Sequence, residues 1–392
     1  MRMTLGSTAV GAAIVVFSVI FVVVAMPVLL FQPQPSDIAE PFTAAQLHGR
    51  QVYQANGCFY CHSQFIRPQD WNQPGVTDSN GRVAQAGDYA YQQTTMLGQH
   101  RNGPDLSQEG GVHPDDWHMA HFYNPRFVNP KSIMPEFSYL WDTNSDGSIT
   151  ESQDLKDLIS YVQNLGGKLG DERAAEQYSQ KQLFKTSIAA AANPNIPGDV
   201  SGQFSDTNQK ALISVVPQKF WTLLDPVPAD DRSLIDGKTI FVTNCIGCHG
   251  INGNGAGPAD QFLNPYAYNF TNAQNMASGI STSPGSLYEH LLYGIKGTAM
   301  PAFGQDLTVQ NIWDVVNFLY TIPNGSLKGD NIEKPPTMNQ YIQWQASPQL
   351  VALSNSPIAG SSQGSTTVST PAAAAFRQKK ALTHKALIVE IG

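Results

Sequence analysis

Two copies of Cys-x-x-Cys-His, with no cysteine outside them, limit this chain more than any other feature. "NGCFYCHSQFIRPQ" carries Cys58, Cys61 and His62, and "TNCIGCHGINGNG" carries Cys245, Cys248 and His249. On a helix, positions i, i+3 and i+4 share a face. Two thiols one turn apart can add to the two vinyl groups of one porphyrin while the next imidazole swings beneath its iron. That spacing reads as covalent c-type haem attachment. A Cys₄ zinc site drawing one pair from each motif competes with it, but two histidines at the same offset would then be a coincidence. A thioredoxin-like dithiol needs a βαβ context that the sequence lacks, and a structural disulfide is a further reading of either pair.

A low-spin electron-transfer haem commonly sets Met opposite His. "KSIMPEF" presents Met134 and "GTAMPAF" presents Met300, each in a Met-Pro-x-Phe tetrad on a Pro-stiffened loop ahead of a terminal helix. These are the expected iron ligands opposite His62 and His249. Met96, Met119 and Met276 read as core fillers. His100, His113, His118, His121 and His290 are the alternative ligands. A ligating imidazole usually donates its other N–H to a carbonyl; "RNGPDL" offers Pro104 for the first haem, and "GAGPAD" offers Pro258 for the second, with Pro265 as competitor. Arg67 and Arg101 are candidate partners of haem propionates.

The two motifs sit inside a longer repeat. "LHGRQVYQANGCFYCH" and "LIDGKTIFVTNCIGCH" share Gly-x-x-x-aromatic, at Gly49 and Tyr53 and at Gly237 and Phe241. Each unit ends in an amphipathic helix: Leu155, Leu158, Ile159, Val162 and Leu165 follow helical spacing, as do Ile312, Val315, Val316, Leu319 and Tyr320. A glycine on one short helix lets a second helix come close. The expected fold is therefore mainly α: a transmembrane helix, then a duplicated small helical domain, which the resemblance given below implies to be of class I cytochrome c type, then a disordered tail.

The N-terminal span supplies the first of these. No residue from Ala9 to Phe31 is charged, and the stretch is about 30 Å or more as a helix, enough to cross a bilayer core. It exceeds the apolar region of a cleaved signal peptide, and no small-residue cleavage site follows. Arg2 precedes it and no Lys or Arg recurs until Arg50, so the positive-inside rule leaves the N-terminus in the cytoplasm and the remainder outside. Pro27 is a candidate kink.

The boundaries that follow are a cytoplasmic N-terminus at 1–7, a membrane helix at 8–31, and a stiff spacer at 32–43. Domain 1 occupies 44–166, a linker containing a helix 167–232, domain 2 233–323, and a low-complexity tail 324–392. The net charge of −8 argues against nucleic-acid binding. "DTNSDGSITESQ" matches a calcium-loop pattern at Asp142, Asn144, Asp146, Gly147 and Ile149. Its twelfth position is Gln153 rather than the bidentate Glu, so calcium is a weaker expectation than haem.

Residues 8–166 closely resemble subunit II of the cbb3-type cytochrome c oxidases. The resemblance runs through "GRQVYQANGCFYCHSQFIRP", "RNGPDLSQEGG", "DDWHMAHFYNPRFVNPKSIMP" and "LISYVQNLGG". It implies one helix packed on a haem–copper catalytic subunit, and a periplasmic haem that passes electrons inward through Cys58, Cys61, His62 and Met134. Residues 233–323 resemble a class I cytochrome c, which gives Cys245, Cys248, His249 and Met300 the same roles. The resulting expectation is a dihaem c-type cytochrome, single-pass in a bacterial inner membrane with its haem domains on the periplasmic face. It is not an enzyme by itself. It takes electrons from a soluble or membrane-bound donor (a cytochrome c, a cupredoxin or a quinol–cytochrome c oxidoreductase) and passes them to the oxidase. Other readings are the cytochrome subunit of a nitric oxide reductase, a dihaem peroxidase, and a tethered shuttle with no fixed partner.

Overall fold

The computed structural model describes residues 4–30, 34–70, 82–92, 94–98, 100–191, 216–271, 276 and 283–324. The tail expected after residue 324 and the middle of the expected linker lie outside the described residues. Most of what is described is helix; the strands among the described residues form one two-stranded hairpin.

Helix α1, Leu5–Leu30, has a mean hydropathy of 3.0 and no part of it is buried in the protein. At 1.5 Å per residue it is about 39 Å long, sufficient to cross a bilayer. Thr4 caps it by accepting from the Ser7 amide. Phe21–Ala25 winds as a π-helical turn just before Met26 and Pro27. The missing N–H of Pro27 explains that local rewinding, since Pro cannot continue the i→i−4 ladder.

The folded part divides into two compact units. One comprises the chain to Tyr123 together with Glu136–Gln182; the other comprises Asn124–Pro135 and the chain from Leu183 on.

In the first unit, α2 (Ala44–Ala55) begins at a capping box between Thr43 and Gln46. Helix α3 is Asp115–Tyr123. The hairpin pairs β1 (Trp141–Thr143) with β2 (Ile149–Glu151), and α4 (Gln153–Gln163) follows behind the Ser152 cap. All five expected apolar positions of this terminal helix are buried: Leu155, Leu158, Ile159, Val162 and Leu165. Helix α5 spans Lys168–Ala191.

The unit extends beyond residue 166, where the sequence pattern places its end. Arg173 on α5 donates to the carbonyls of Gly110 and Gln108, both at 2.8 Å, and Lys181 pairs with buried Asp116 at 2.9 Å. The expected spacer is also part of this unit: Ile38 is buried, its carbonyl accepts from Lys168, and Ser36 donates its amide to Gly87.

In the second unit, the short α6 (Gln218–Trp221) precedes α7 (Asp231–Asn244), α8 (Ile246–His249), α9 (Pro284–Tyr293) and α10 (Val309–Leu319). Phe220, Phe241, Ile246, Leu287, Tyr288, Trp313, Val316 and Phe318 share one buried apolar cluster. Phe220 belongs to it, so this core begins upstream of residue 233, where the sequence pattern starts the domain.

Candidate haem-binding sites

Each Cys-x-x-Cys-His closes as one helical turn. In the first unit α2 stops at Asn56, and Gly57, at φ +68°, turns the chain into a 3₁₀ turn at Cys58–Tyr60. The His62 amide then donates to the Cys58 carbonyl at 3.0 Å, and the His249 amide donates to the Cys245 carbonyl at 2.9 Å. All four cysteines are unbridged and half-buried. Burial pushes the Cys58 and Cys245 thiols up to about 12. Among the described residues no three His, Cys, Asp or Glu side chains converge as a metal cage.

The two imidazoles are presented alike. His62 donates Nδ1–H to the Pro104 carbonyl at 2.9 Å, and His249 donates Nδ1–H to the Tyr268 carbonyl at 2.9 Å. A carbonyl can only accept, so Nδ1 carries the proton in both rings and Nε2 keeps its lone pair. Burial lowers both imidazoles below their ordinary range, with the carbonyl bond pulling the other way. Neutral rings with a bare Nε2 are the form an iron ligand requires. The residues present therefore fit a c-type haem: two thiols one turn apart and an oriented, neutral imidazole directly after them.

The Tyr268 contact corrects the expectation of Pro258. Gly103 and Gly257 both donate their amides to the second cysteine of the motif, to Cys61 and Cys248, at 3.1 Å; the two Gly-Pro pairs are thus equivalent in the fold. In the second unit, however, the Phe270 amide folds back onto the Gly253 carbonyl, bringing Tyr268 beside the ring. The Pro258 carbonyl accepts instead from the Gln261 side chain at 3.2 Å.

The methionine loops also repeat. The Met134 amide donates to Ser132 Oγ and the Met300 amide to Thr298 Oγ1, both at 3.2 Å. The Phe137 amide is tied to the Phe122 carbonyl at the end of α3, and the Phe303 amide to the Leu291 carbonyl on α9. Met134 and Met300 are both half-buried. Met134 lies in Asn124–Pro135, the segment grouped with the second unit.

Asp70 gathers the two arginines. Arg67 grips it with Nε–H at 2.6 Å and an Nη2 donor at 2.8 Å, and Arg101 reaches it at 2.9 Å. Of the alternative histidine ligands, His118 Nε2, His121 Nδ1 and both His290 nitrogens are buried without a hydrogen-bond partner. Glu109 Oε1 lies 2.7 Å from His113 Nδ1 and 3.7 Å from His118 Nε2. Trp117 is stacked between the His113 and His121 rings. His290 stands 3.6 Å from Glu289.

The candidate calcium loop folds as a hairpin tip. Asp142 is paired across the ladder with Thr150. Asn144 and Asp146 both bond Ser148, and Gln153, at the twelfth position, donates to Asp157 on α4. Asp142, on β1, and Asn144 and Asp146, on the turn after it, are the candidate cation ligands of this hairpin.

Sequence reasoning missed four contributors. Tyr268 acts through its backbone, which has no sequence signature. The Ser132 and Thr298 hydroxyls were legible as the residue two before each Met. Gly103 is required because a Cβ there would stand 2.3 Å from His62 Cε1.

The family described as "Cytochrome C oxidase, mono-heme subunit/FixO" matches residues 5–216, and the cytochrome c family matches residues 234–323. No curated protein matches the chain. A solved structure, the Kuenenia stuttgartiensis reducing HAO-like protein complex Kustc0457/Kustc0458, shares 15% identity over 73% of this chain and 99% of that one, with a TM-score of 0.23. That likeness carries no argument about fold or function.

Proposed function

The chain belongs to the cytochrome c oxidase mono-haem subunit family of the FixO type, with a cytochrome c domain behind it, and from that premise we propose a membrane-anchored dihaem relay. In this reading it takes single electrons from a periplasmic donor and hands them to the haem–copper catalytic subunit of a cbb3-type oxidase. The observation that carries the reading is the duplicated presentation of a neutral imidazole, Nδ1–H on a backbone carbonyl 2.9 Å away, directly behind two thiols one turn apart.

A bound c-type haem supplies an iron that gains or loses one electron without making or breaking a bond to substrate. Cys58 and Cys61, and Cys245 and Cys248, hold the two porphyrin edges. His62 and His249 offer Nε2 as the fifth ligand, fixed in tautomer and plane by Pro104 and Tyr268. Met134 and Met300 offer thioether sulfur as the sixth, on loops braced by Ser132 and Thr298; sulfur opposite imidazole favours the reduced iron. Arg67 and Arg101 would have to share their donors between Asp70, which they hold here, and the propionates of the first haem. Were each iron held by the imidazole and the thioether offered to it, the protein would leave it no opening for oxygen or peroxide, as a relay requires and a peroxidase does not. Helix α1 anchors the chain and packs on the catalytic subunit.

The test is to purify the chain from its native membranes under mild detergent. The expected result is co-purification with a polytopic haem–copper subunit, in a preparation that consumes oxygen when given reduced donor. A preparation that consumes nitric oxide instead, or a chain recovered without any polytopic partner, contradicts the proposal.

A further inference from the structure

Beside the histidine ligand of the first unit lies a carboxylate that the relay reading leaves without a role. Asp105 directly follows Pro104, and its side chain is fully enclosed. Its Oδ2 accepts from the Ser63 hydroxyl at 2.5 Å and the Phe65 amide at 2.8 Å. Its Oδ1 accepts from the Ser107 amide at 2.8 Å and from the Ser107 hydroxyl. Ser63 is the residue after His62. One carboxylate therefore joins the chain leaving the ligand to the chain carrying the ligand's acceptor, on both sides of the His62–Pro104 bond. Arg101 closes the arrangement, with Nε 2.7 Å from Ser63 Oγ and 3.8 Å from Asp105 Oδ2.

Among the described residues of the second unit, the equivalent position carries no carboxylate. The equivalent Gly257–Pro258 pair is followed by Ala259, and His249 takes a different carbonyl.

We infer that Asp105 is a positioning residue of the first haem: it locks the His62 ring against the Pro104 carbonyl and sets a fixed negative charge on the histidine side of the iron, lowering that haem's reduction potential. A ferric iron carries one more positive charge than a ferrous one, so a nearby buried anion favours the oxidised state, and more so where little water screens it. A tightly held Nδ1–H also makes Nε2 a stronger donor. The inference rests on the haem reading above.

The test is a redox titration of the full-length, haem-loaded chain, with the second haem as internal reference. Asp105→Asn keeps the shape and removes the charge. Its first haem should rise by about tenfold in its reduction equilibrium, which is about 59 mV for one electron, with the second unchanged. Arg101→Gln removes the neighbouring cation and should move the first haem the opposite way. Ser63→Ala loses the hydroxyl's two hydrogen bonds, to Asp105 and from Arg101, and keeps the charge, so its shift should be smaller than that of Asp105→Asn. If Asp105→Asn does not accumulate, Asp105→Ser, which removes the same charge and keeps a hydrogen-bonding oxygen, replaces it: a rise of the first haem alone supports the inference and no change overturns it. A first haem attached at the wild-type level but unmoved in Asp105→Asn overturns the inference alone. A wild-type chain without covalent haem sinks the relay reading and this inference together.

Discussion

Gly49 lies so close to Asp157 that a Cβ on the glycine would stand 1.8 Å from the aspartate's carbonyl oxygen. Gly237 and Asp314 repeat the relationship at 2.0 Å. Four residues further along the same helices, Tyr53 meets Tyr161 at 5.4 Å and Phe241 meets Phe318 at 5.7 Å between ring centroids. Helix crossing at a glycine, followed by an aromatic pair one turn on, sets where each Cys-x-x-Cys-His begins. Gly49→Ala and Gly237→Ala should each destabilise their own unit by about 3 kcal/mol, the upper range for overpacking. Thermal unfolding followed by circular dichroism checks this; variants within a few tenths of a kcal/mol of wild type would contradict it.

The methionine loops make a second prediction. Met134→Ala and Met300→Ala should each remove the sulfur ligand from one haem only, lower that haem's potential and add a high-spin signal, read by optical and magnetic spectra. Ser132→Ala and Thr298→Ala loosen the loop without removing sulfur. Each should cost about 1 kcal/mol of stability while the low-spin spectrum stays. A low-spin His/Met spectrum retained in a methionine variant would remove that residue from the ligand set.

Gly103 supplies a third. An alanine Cβ there would press on the His62 ring, 2.3 Å from Cε1 and 2.9 Å from each nitrogen. At Gly257 its nearest neighbours would be the Gly247 and Cys248 backbone. Gly103→Ala should therefore perturb the iron–histidine bond of the first haem in resonance Raman spectra, with attachment through Cys58 and Cys61 retained. Gly257→Ala should destabilise its unit and leave the iron–histidine band of the second haem in place.

These three predictions draw on features that differ in how far the sequence reveals them. Gly49, Gly237 and the buried faces of the terminal helices were readable because side chains recurring at fixed spacing encode helix contact directly. The tetrads around Met134 and Met300 were readable because two copies agreed. Tyr268 was not, because any residue's carbonyl can accept a hydrogen bond and Pro258 occupied the matching place. The hairpin at Trp141–Glu151 was not, because Asp, Asn and Gly serve a tight turn as well as a calcium loop. The docking of α5 rests on Arg173 reaching two backbone carbonyls, which leaves no apolar stripe to read.

The second unit carries a pH prediction. Burial pushes the Glu289 carboxyl from 4.5 up to about 7. The folded unit thus binds this proton more tightly than the unfolded chain, so Glu289 contributes a fall in stability as pH rises between those two values. Buried His290, lowered to about 4, contributes an opposing rise. Glu289→Gln should flatten that fall and raise stability at about pH 8 by about 1–2 kcal/mol, allowing for screening at the partly open edge of the side chain. Chemical denaturation at a series of pH values reads it directly; an unchanged slope in the variant would contradict the assignment.

The most direct measurement is the intact mass of the full-length chain, made in cells with a working haem-attachment machinery. The account predicts the mass of the polypeptide plus two haems, falling by one haem when Cys58 and Cys61 are both replaced by alanine and by the other when Cys245 and Cys248 are. A colourless chain weighing no more than its amino acids would contradict it.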